Sequence, residues 1–450
     1  MVKRVASTVI AIVAVLTIGF LTANFVLPFL TDLFGSRTYS QTNCLTDMVT
    51  SDMDIYDIAK SYRDGQATVA VEVQGKNTTI NKYKAFIGSG VCVASKGFQT
   101  SLENNYIANK GSYIATNYHV IDIFDTDDFT DCSVKILTEK EESYPCEVLW
   151  FNKDLDVAIL YCDYTNVNYV RMKDRSIDCT SEDKLDYEEV FTIGTPIETD
   201  YLNRLTIGNI ASNNSMVFYT AEEIYPTKDG SGNINGYSNY SLSELASGYG
   251  VLSNLYEDVV DITVGITGGN SGGGLFDENG YLVGLTTLGS SVEQTAGNQM
   301  NGMVPIYPIV EVLDKIIQNN EADGNNKIYS LENLKIFGID SYEAERATYF
   351  YNKNSLSYYF IDGKFFSSSY GSSFNFDETG YYVLTNSNTA LKSISKGCVI
   401  TGAQIAGQEI KTISDRNDLV YLLLQVDNGD SVTFYYKNIL GLNKSVTVTL

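Results

Sequence analysis

One histidine serves 450 residues, and that scarcity narrows the chemistry at once, because imidazole is the usual general base near neutral pH. If a serine nucleophile is present, His119 must be its base. Cationic residues are also few: 31 Lys and Arg stand against 55 Asp and Glu, a formal charge of −24. Such a chain repels phosphate backbones and anionic lipid surfaces alike, which argues against a nucleic-acid partner. Proline is limited to six positions, while 36 Gly, 33 Tyr and 20 Phe favour many short strands and turns over a helical bundle. The seven cysteines (Cys44, Cys92, Cys132, Cys146, Cys162, Cys179, Cys398) are an odd number without a C-x-x-C pair, so neither zinc nor another metal is expected. Cys92 and Cys162 sit inside apolar runs, where a free thiol packs as a small hydrophobe, and this reading is preferred to a disulfide framework.

The length suggests about three units. From Val5 to Leu30 the chain is almost wholly apolar and uncharged, preceded by Lys3 and Arg4. This predicts one membrane span over 5–30, its N-terminus cytoplasmic and the remainder outside the cytoplasm. A cleaved signal peptide is the competing view, but its apolar stretch is normally shorter. Residues 31–51 are polar and read as a tether. Ile55, Ile58, Ala59 and Tyr62 then recur at helical spacing after Asp52 and Asp54 and before Gly65, which predicts a short amphipathic helix. Strand patterns follow at Val69–Val73, 87–94, 113–116, 134–137, 147–151 and 157–161. Residues 213–258 read as an exposed inserted loop. Pro308 opens a helix with Ile309, Val312, Leu313, Ile316 and Ile317 on one face, and the polar stretch 319–326 marks a domain boundary. Beyond it, strands at 381–385, 431–436 and 445–450 surround a helix over 418–424, with Ser414 and Asp415 as candidate caps.

The candidate chemistry lies in three places. His119, in Thr116-Asn-Tyr-His-Val-Ile121, follows the apolar strand 113–115, where a side chain can leave a barrel edge and face a cleft. Ser271 lies in Gly268-Gly-Asn-Ser-Gly-Gly-Gly274, whose glycines let the chain turn sharply and present NH groups to a developing oxyanion. Asp156 stands directly before Val-Ala-Ile-Leu160, a strand that would bury it beside His119 and let it fix the imidazole tautomer. Asp154 is its rival.

Thr-Asn-Tyr-His119-Val, Asp156-Val-Ala-Ile-Leu and Gly-Asn-Ser271-Gly-Gly, in that order, resemble the three signatures of the HtrA (DegP/DegS-like) serine endopeptidases. Gly88-Ser-Gly-Val, Thr192-Ile-Gly-Thr-Pro196, Leu205-Thr-Ile-Gly208 and Gly280-Tyr-Leu-Val-Gly-Leu285 add further matches, and the likeness covers about 52–320. It implies a mostly β fold, a chymotrypsin-like double β-barrel protease domain. In it Ser271 attacks, His119 shuttles the proton, Asp156 orients His119, and the NH groups of Gly269 and Ser271 form the oxyanion hole. Gly265, six residues before the nucleophile, is expected at the pocket floor, with Thr286, Thr287 and Leu288 also lining the substrate site. Having no carboxylate at 265, the pocket should favour apolar P1 residues over Lys or Arg. The preceding Thr263-Val-Gly-Ile-Thr267 departs from the family's usual Asp-Ala-Ala-Ile-Asn.

Residues 330–450 resemble the PDZ domain that such proteases carry. Ile336-Phe337-Gly338-Ile339 is similar to the loop that holds a peptide's terminal carboxylate, followed by Lys396-Gly-Cys-Val-Ile400 and Gly407-Gln-Glu-Ile410 in PDZ order, while 341–376 exceed a typical first loop. The resemblance implies no cofactor, a homotrimer, and substrates that are unfolded or membrane proteins cleaved outside the cytoplasm. Two alternatives stay open: a catalytically silent, membrane-tethered PDZ scaffold that binds protein C-termini, and a protease cutting one regulatory membrane protein. The acidic run 125–131 lacks the glycine and closing Glu of a calcium loop and reads as a solvated surface.

Overall fold

The computed structural model describes residues 44–95, 111–140, 142–163, 168–173, 188–195, 204–218, 226–228, 230–231, 234–237, 240–241, 256–289, 301–321, 326–341 and 378–450. The proposed span over 5–30 and Cys179 lie outside these residues. Among the described residues no helix is long and apolar enough to cross a membrane.

Helix α1 (Ile55–Asp64) begins at Asp54, whose carboxylate accepts from the Asp57 NH, and ends at Gly65. An acceptor at the N-cap satisfies an NH that the first helical turn leaves unpaired. Its apolar face buries Ile58, Ala59 and Tyr62. Six strands then form a closed barrel: β1 (Thr68–Asn77), β2 (Lys82–Ser95), β3 (Ser112–Thr116), β4 (Phe129–Leu137), β5 (Ser143–Asn152) and β6 (Val157–Cys162), in the order β1-β2-β3-β6-β5-β4. Val69, Val71, Val73, Ile114, Ile136 and Leu160 pack within it, as the alternation of interior and exterior positions along barrel strands requires.

A second closed barrel comprises β7 (Glu189–Gly194), β8 (Arg204–Phe218), β12 (Tyr256–Ile262), β13 (Gly274–Asp277), β14 (Leu282–Gly289) and β15 (Asn301–Pro305), ordered β12-β15-β14-β13-β7-β8. Between β8 and β12 a small sheet joins β9 (Pro226–Lys228), β10 (Ile234–Tyr237) and β11 (Tyr240–Ser241). The expected loop over 213–258 is thus corrected at both ends. Residues through Phe218 continue β8, and Tyr256 begins β12, because the two strands pair antiparallel from Tyr256 opposite Phe218 inward. Strand β13, too short for a sequence pattern, was not expected.

The tether over 31–51 is corrected in the same way where it is described. Cys44, Leu45 and Thr46 are buried, a 3-10 turn covers Thr46–Met48, and Thr46 Oγ1 hydrogen-bonds the Tyr62 hydroxyl. The Tyr62 ring packs edge-on against Phe276, which neighbours Phe191, so the N-terminal segment and α1 are held on the second barrel.

Helix α2 (Tyr118–Ile121) follows β3, and α3 (Tyr307–Glu321) follows β15. Because α3 runs through Asn319 and Asn320, the polar stretch expected as a boundary begins inside a helix. The C-terminal unit holds α4 (Leu331–Leu334), β16 (Ile336–Asp340), β17 (Tyr381–Asn386), β18 (Val399–Ile405), β19 (Lys411–Thr412), α5 (Arg416–Gln425), β20 (Ser431–Lys437) and β21 (Asn443–Thr449). The sheet order is β16-β17-β18-β20-β21, with β19 on β18. The long segment 342–377 lies outside the described residues. Helix α3 packs on α5, and Lys315 Nζ donates to the carbonyls of Leu424 and Val426, a cation where a helix C-terminus favours one.

In the segment that links the barrels, Lys173 is 7% exposed, Asp277 at the end of β13 is 2% exposed, and they pair at 3.1 Å. The Asp277 carboxylate also accepts from the NH groups of Asn279 and Tyr281. Removing one partner strands a buried charge, so Lys173→Ala should cost about 3 kcal/mol in urea unfolding. Arg63→Ala, which breaks an exposed pair with Asp64, should cost under about 1 kcal/mol. Equal losses would contradict the burial argument.

Candidate active site

The site is built from three loops meeting where the barrels face each other. The β5–β6 turn positions Asp156, whose backbone lies in the left-handed region at φ 48°, a conformation Asp tolerates better than most non-glycine residues. Leu155 NH donates to Asn152 Oδ1, and Asn117 Nδ2 donates to the Asp156 carbonyl at 2.9 Å. Asp156 is therefore gripped from both sides while its carboxylate turns inward.

That carboxylate, 6% exposed as a residue, accepts from the His119 backbone NH at 2.9 Å and lies 2.9 and 3.1 Å from His119 Nδ1. Thr287 Oγ1 donates to it at 2.8 Å from β14, in the other barrel. His119 itself sits on α2, started by Asn117 in extended conformation. Burial alone would lower the imidazole pKa; the charge and hydrogen bond of Asp156, helped by Asp122, outweigh it and raise the pKa above 6.5. The Asp156 contact fixes which nitrogen is engaged and leaves Nε2 for other work.

Asp154 points elsewhere. Its carboxylate stands 3.8 Å from Arg416 Nη1 at the start of α5; burial pushes its pKa up and the Arg416 charge opposes that. The two acids lie in a turn rather than in a common strand phase, which is why they face different partners.

Ser271 arrives on the loop before β13. The turn at Gly268–Gly269 closes with Asn270 NH on the Thr267 carbonyl at 3.0 Å, and Gly269 has φ 93°, the positive value that the third position of a type II turn demands. Gly272 has φ 81°, and a Cβ there would collide with Thr116 Oγ1 and the Ser89 carbonyl. Ser89, in β2, clamps the loop: its NH donates to the Ser271 carbonyl at 2.7 Å and its hydroxyl to the Gly269 carbonyl at 2.8 Å. Nothing in the Gly88-Ser-Gly motif itself announces this role. The Ser271 hydroxyl donates to the Thr287 carbonyl at 3.1 Å, not to His119. Thr287 thus touches both Asp156 and Ser271. It was expected to line the substrate site, and its place beside the acid was missed.

Gly265 is exposed, and a Cβ built there meets only Thr206 Cγ2, at 3.6 Å. Thr286 is fully buried and donates to the Asn270 carbonyl at 2.6 Å, so it braces the serine loop rather than opening to solvent. Leu288 pairs with Gly302 in the sheet. Ile336, Phe337, Gly338 and Ile339 form strand β16 rather than a loop, and a Cβ on Gly338 would strike the Tyr382 carbonyl. Among the described residues no cluster of three or more His, Cys, Asp or Glu could hold a metal.

Residues 88–285 match the family described as a trypsin-like peptidase domain. The chain is 22% identical over 260 residues to the serine protease Do-like HtrA of Lactococcus lactis subsp. lactis (strain IL1403), covering 56% of this chain and 53% of that protein. It is 24% identical over 216 residues to the chloroplastic Protease Do-like 1 of Arabidopsis thaliana, covering 48% and 39%. The chain thus spans about half, or less, of the length of these curated relatives. Among solved structures, "HtrA-type protease AlgW with decapeptide" aligns with a TM-score of 0.47 and 16% identity, over 87% of this chain and 96% of that one.

A single histidine makes the proton equilibrium directly observable. The imidazole resonances should titrate above about 6.5 in the native chain and below it in Asp156→Asn, where burial is left largely unopposed. By linkage, the stability His119 gains from this pair is fully present below about pH 6.5 and is lost as pH rises through its native pKa. Unchanged titration in Asp156→Asn would contradict the assigned contact.

Proposed function

The chain is related to the HtrA, Do-like serine proteases and carries a trypsin-like peptidase domain at residues 88–285; from that premise we propose that it is a serine endopeptidase. Ser271 is the nucleophile, His119 the general base and Asp156 the group that orients and stabilises the imidazolium. The observation that carries this reading is the His119 Nδ1–Asp156 pair, tied through Thr287 to the serine loop.

For attack, the Ser271 hydroxyl leaves the Thr287 carbonyl and gives its proton to His119 Nε2 as Oγ bonds the scissile carbonyl carbon. The NH groups of Gly269 and Ser271 receive the oxyanion; neither donates to a protein acceptor among the described residues. His119 then returns the proton to the leaving amine, and water repeats the cycle on the acyl-enzyme. Open space at Gly265 with no carboxylate favours Val, Ala or Leu at P1.

The C-terminal unit serves as a PDZ-like module. Strand β16 is a sheet edge, and α5 is joined to it where Asp340 accepts from the Arg416 NH. A peptide C-terminus adding as a strand there would gain backbone hydrogen bonds and a side-chain pocket. The Arg416–Asp154 pair supplies a route from this groove to the turn bearing Asp156. The apolar stretch 5–30 with Lys3 and Arg4 supports a membrane anchor with the catalytic unit outside the cytoplasm, acting on unfolded or membrane-protein chains as a homotrimer.

Peptide-cleavage kinetics test the chemistry. Ser271→Ala and His119→Ala should each abolish most turnover, with the double variant little worse, because the groups act as a unit. Activity should rise with pH through a value above about 6.5, since only neutral His119 accepts the proton. Additive losses or a flat profile would reject the assignment. For coupling, a hydrophobic C-terminal peptide titrated before and after covalent blocking of Ser271 should differ in affinity by roughly 5- to 150-fold. Equal affinities would remove communication between the units.

A further inference from the structure

Strands β5 and β6 are antiparallel, and their register sets Cys146 directly opposite Cys162. Opposed residues in such a pair have Cα atoms about 4.5 or 5.5 Å apart, inside the roughly 4.4–6.8 Å range of disulfides. Opposed side chains also share a sheet face, and both cysteines pack with the interior of the first barrel. The Cys146 Sγ donates to the Tyr144 carbonyl at 3.5 Å, and the neighbouring Cys162 thiol together with burial pushes Cys146's ionisation far above that of an ordinary thiol. Cys146 is partly exposed, while Cys162 is 1% exposed. Neither is in a disulfide in this structure.

We propose that Cys146 and Cys162 are a disulfide-forming pair, a redox modification site that staples the open end of the hairpin whose turn presents Asp156. The proposal does not depend on the peptidase reading. The oxidant is a small-molecule disulfide such as oxidised glutathione. The more accessible Cys146 thiolate attacks one of its sulfurs, forming a mixed disulfide and releasing one glutathione thiolate. The Cys162 thiolate then attacks the Cys146 sulfur and releases the second. Two protein thiols lose two protons and two electrons, and the external disulfide becomes two thiols. Because the attacking thiol resists ionisation, the exchange accelerates as pH rises. The product closes residues 146–162 into a loop, which restricts the unfolded chain and raises stability.

Cys132 is the competitor to exclude. Val134 lies opposite Cys146, so Cys132 is a diagonal neighbour on β4, about 7–8 Å away between Cα atoms and at or beyond a disulfide's reach. Its Sγ donates to the Ile123 carbonyl at 3.4 Å.

The full chain, incubated with oxidised glutathione near pH ~8.5, where an ordinary thiol is half ionised, then alkylated and digested without reduction, decides the matter. The expected result is a linked peptide pair containing Cys146 and Cys162. The thermal midpoint should rise by several degrees and fall back on adding dithiothreitol. Cys132→Ser should keep both effects, and Cys146→Ser should lose both. Recovery of Cys146 and Cys162 as alkylated thiols, a stalled glutathione adduct on Cys146, or a Cys146–Cys132 link would overturn the proposal.

Discussion

The buried carboxylate of Asp156 is the group on which the site depends. A charge so nearly removed from water persists only if donors replace its hydration, and three do: the backbone NH and Nδ1 of His119, and the hydroxyl of Thr287. Two come from the first barrel and one from the second, so satisfying this carboxylate also fixes the barrels against each other at the cleft. The left-handed turn at Asp156 is held by Asn117 and Asn152. Local backbone strain at the site is thus offset by its immediate neighbours.

A second crossing contact shapes the serine loop. Ser89 of the first barrel binds the carbonyls of Ser271 and Gly269. Thr286, from the second barrel, holds the same loop through Asn270. The C-terminal unit adds to this frame through α5, gripped at one end by Lys315 and at the other by Asp154. The start of α5, bonded to β16 through Asp340, is therefore close to the turn that carries Asp156.

Much of this was legible in the sequence because it rests on local patterns. The period of Ile55, Ile58, Ala59 and Tyr62, the cap at Asp54 and the alternation in the first barrel's strands are local, and each found its element. The motifs around His119, Asp156 and Ser271 are short, with glycines and apolar runs that have local causes, and the structure sets His119 against Asp156 and the Ser271 hydroxyl on the Thr287 carbonyl. The bond of Thr287 to Asp156 spans 131 residues, and no local signal announces such a partner. Asp154 could not be separated from Asp156 by phase, since both occupy a turn. The buried segment at Cys44–Thr46 reads as polar linker until Tyr62 and the Gly280 carbonyl supply its partners. The facing of Cys146 and Cys162 required strand register, which alternation alone does not determine.

The central claim is that His119, oriented by Asp156, activates Ser271 and no other hydroxyl. Intact-mass and peptide-level analysis after reaction with a fluorophosphonate tests it most directly. The account predicts one phosphonyl group per chain, mapped to the peptide bearing Ser271, and no adduct in His119→Ala. A native chain that stays unlabelled across pH and peptide additions, or an adduct on another residue, would contradict it.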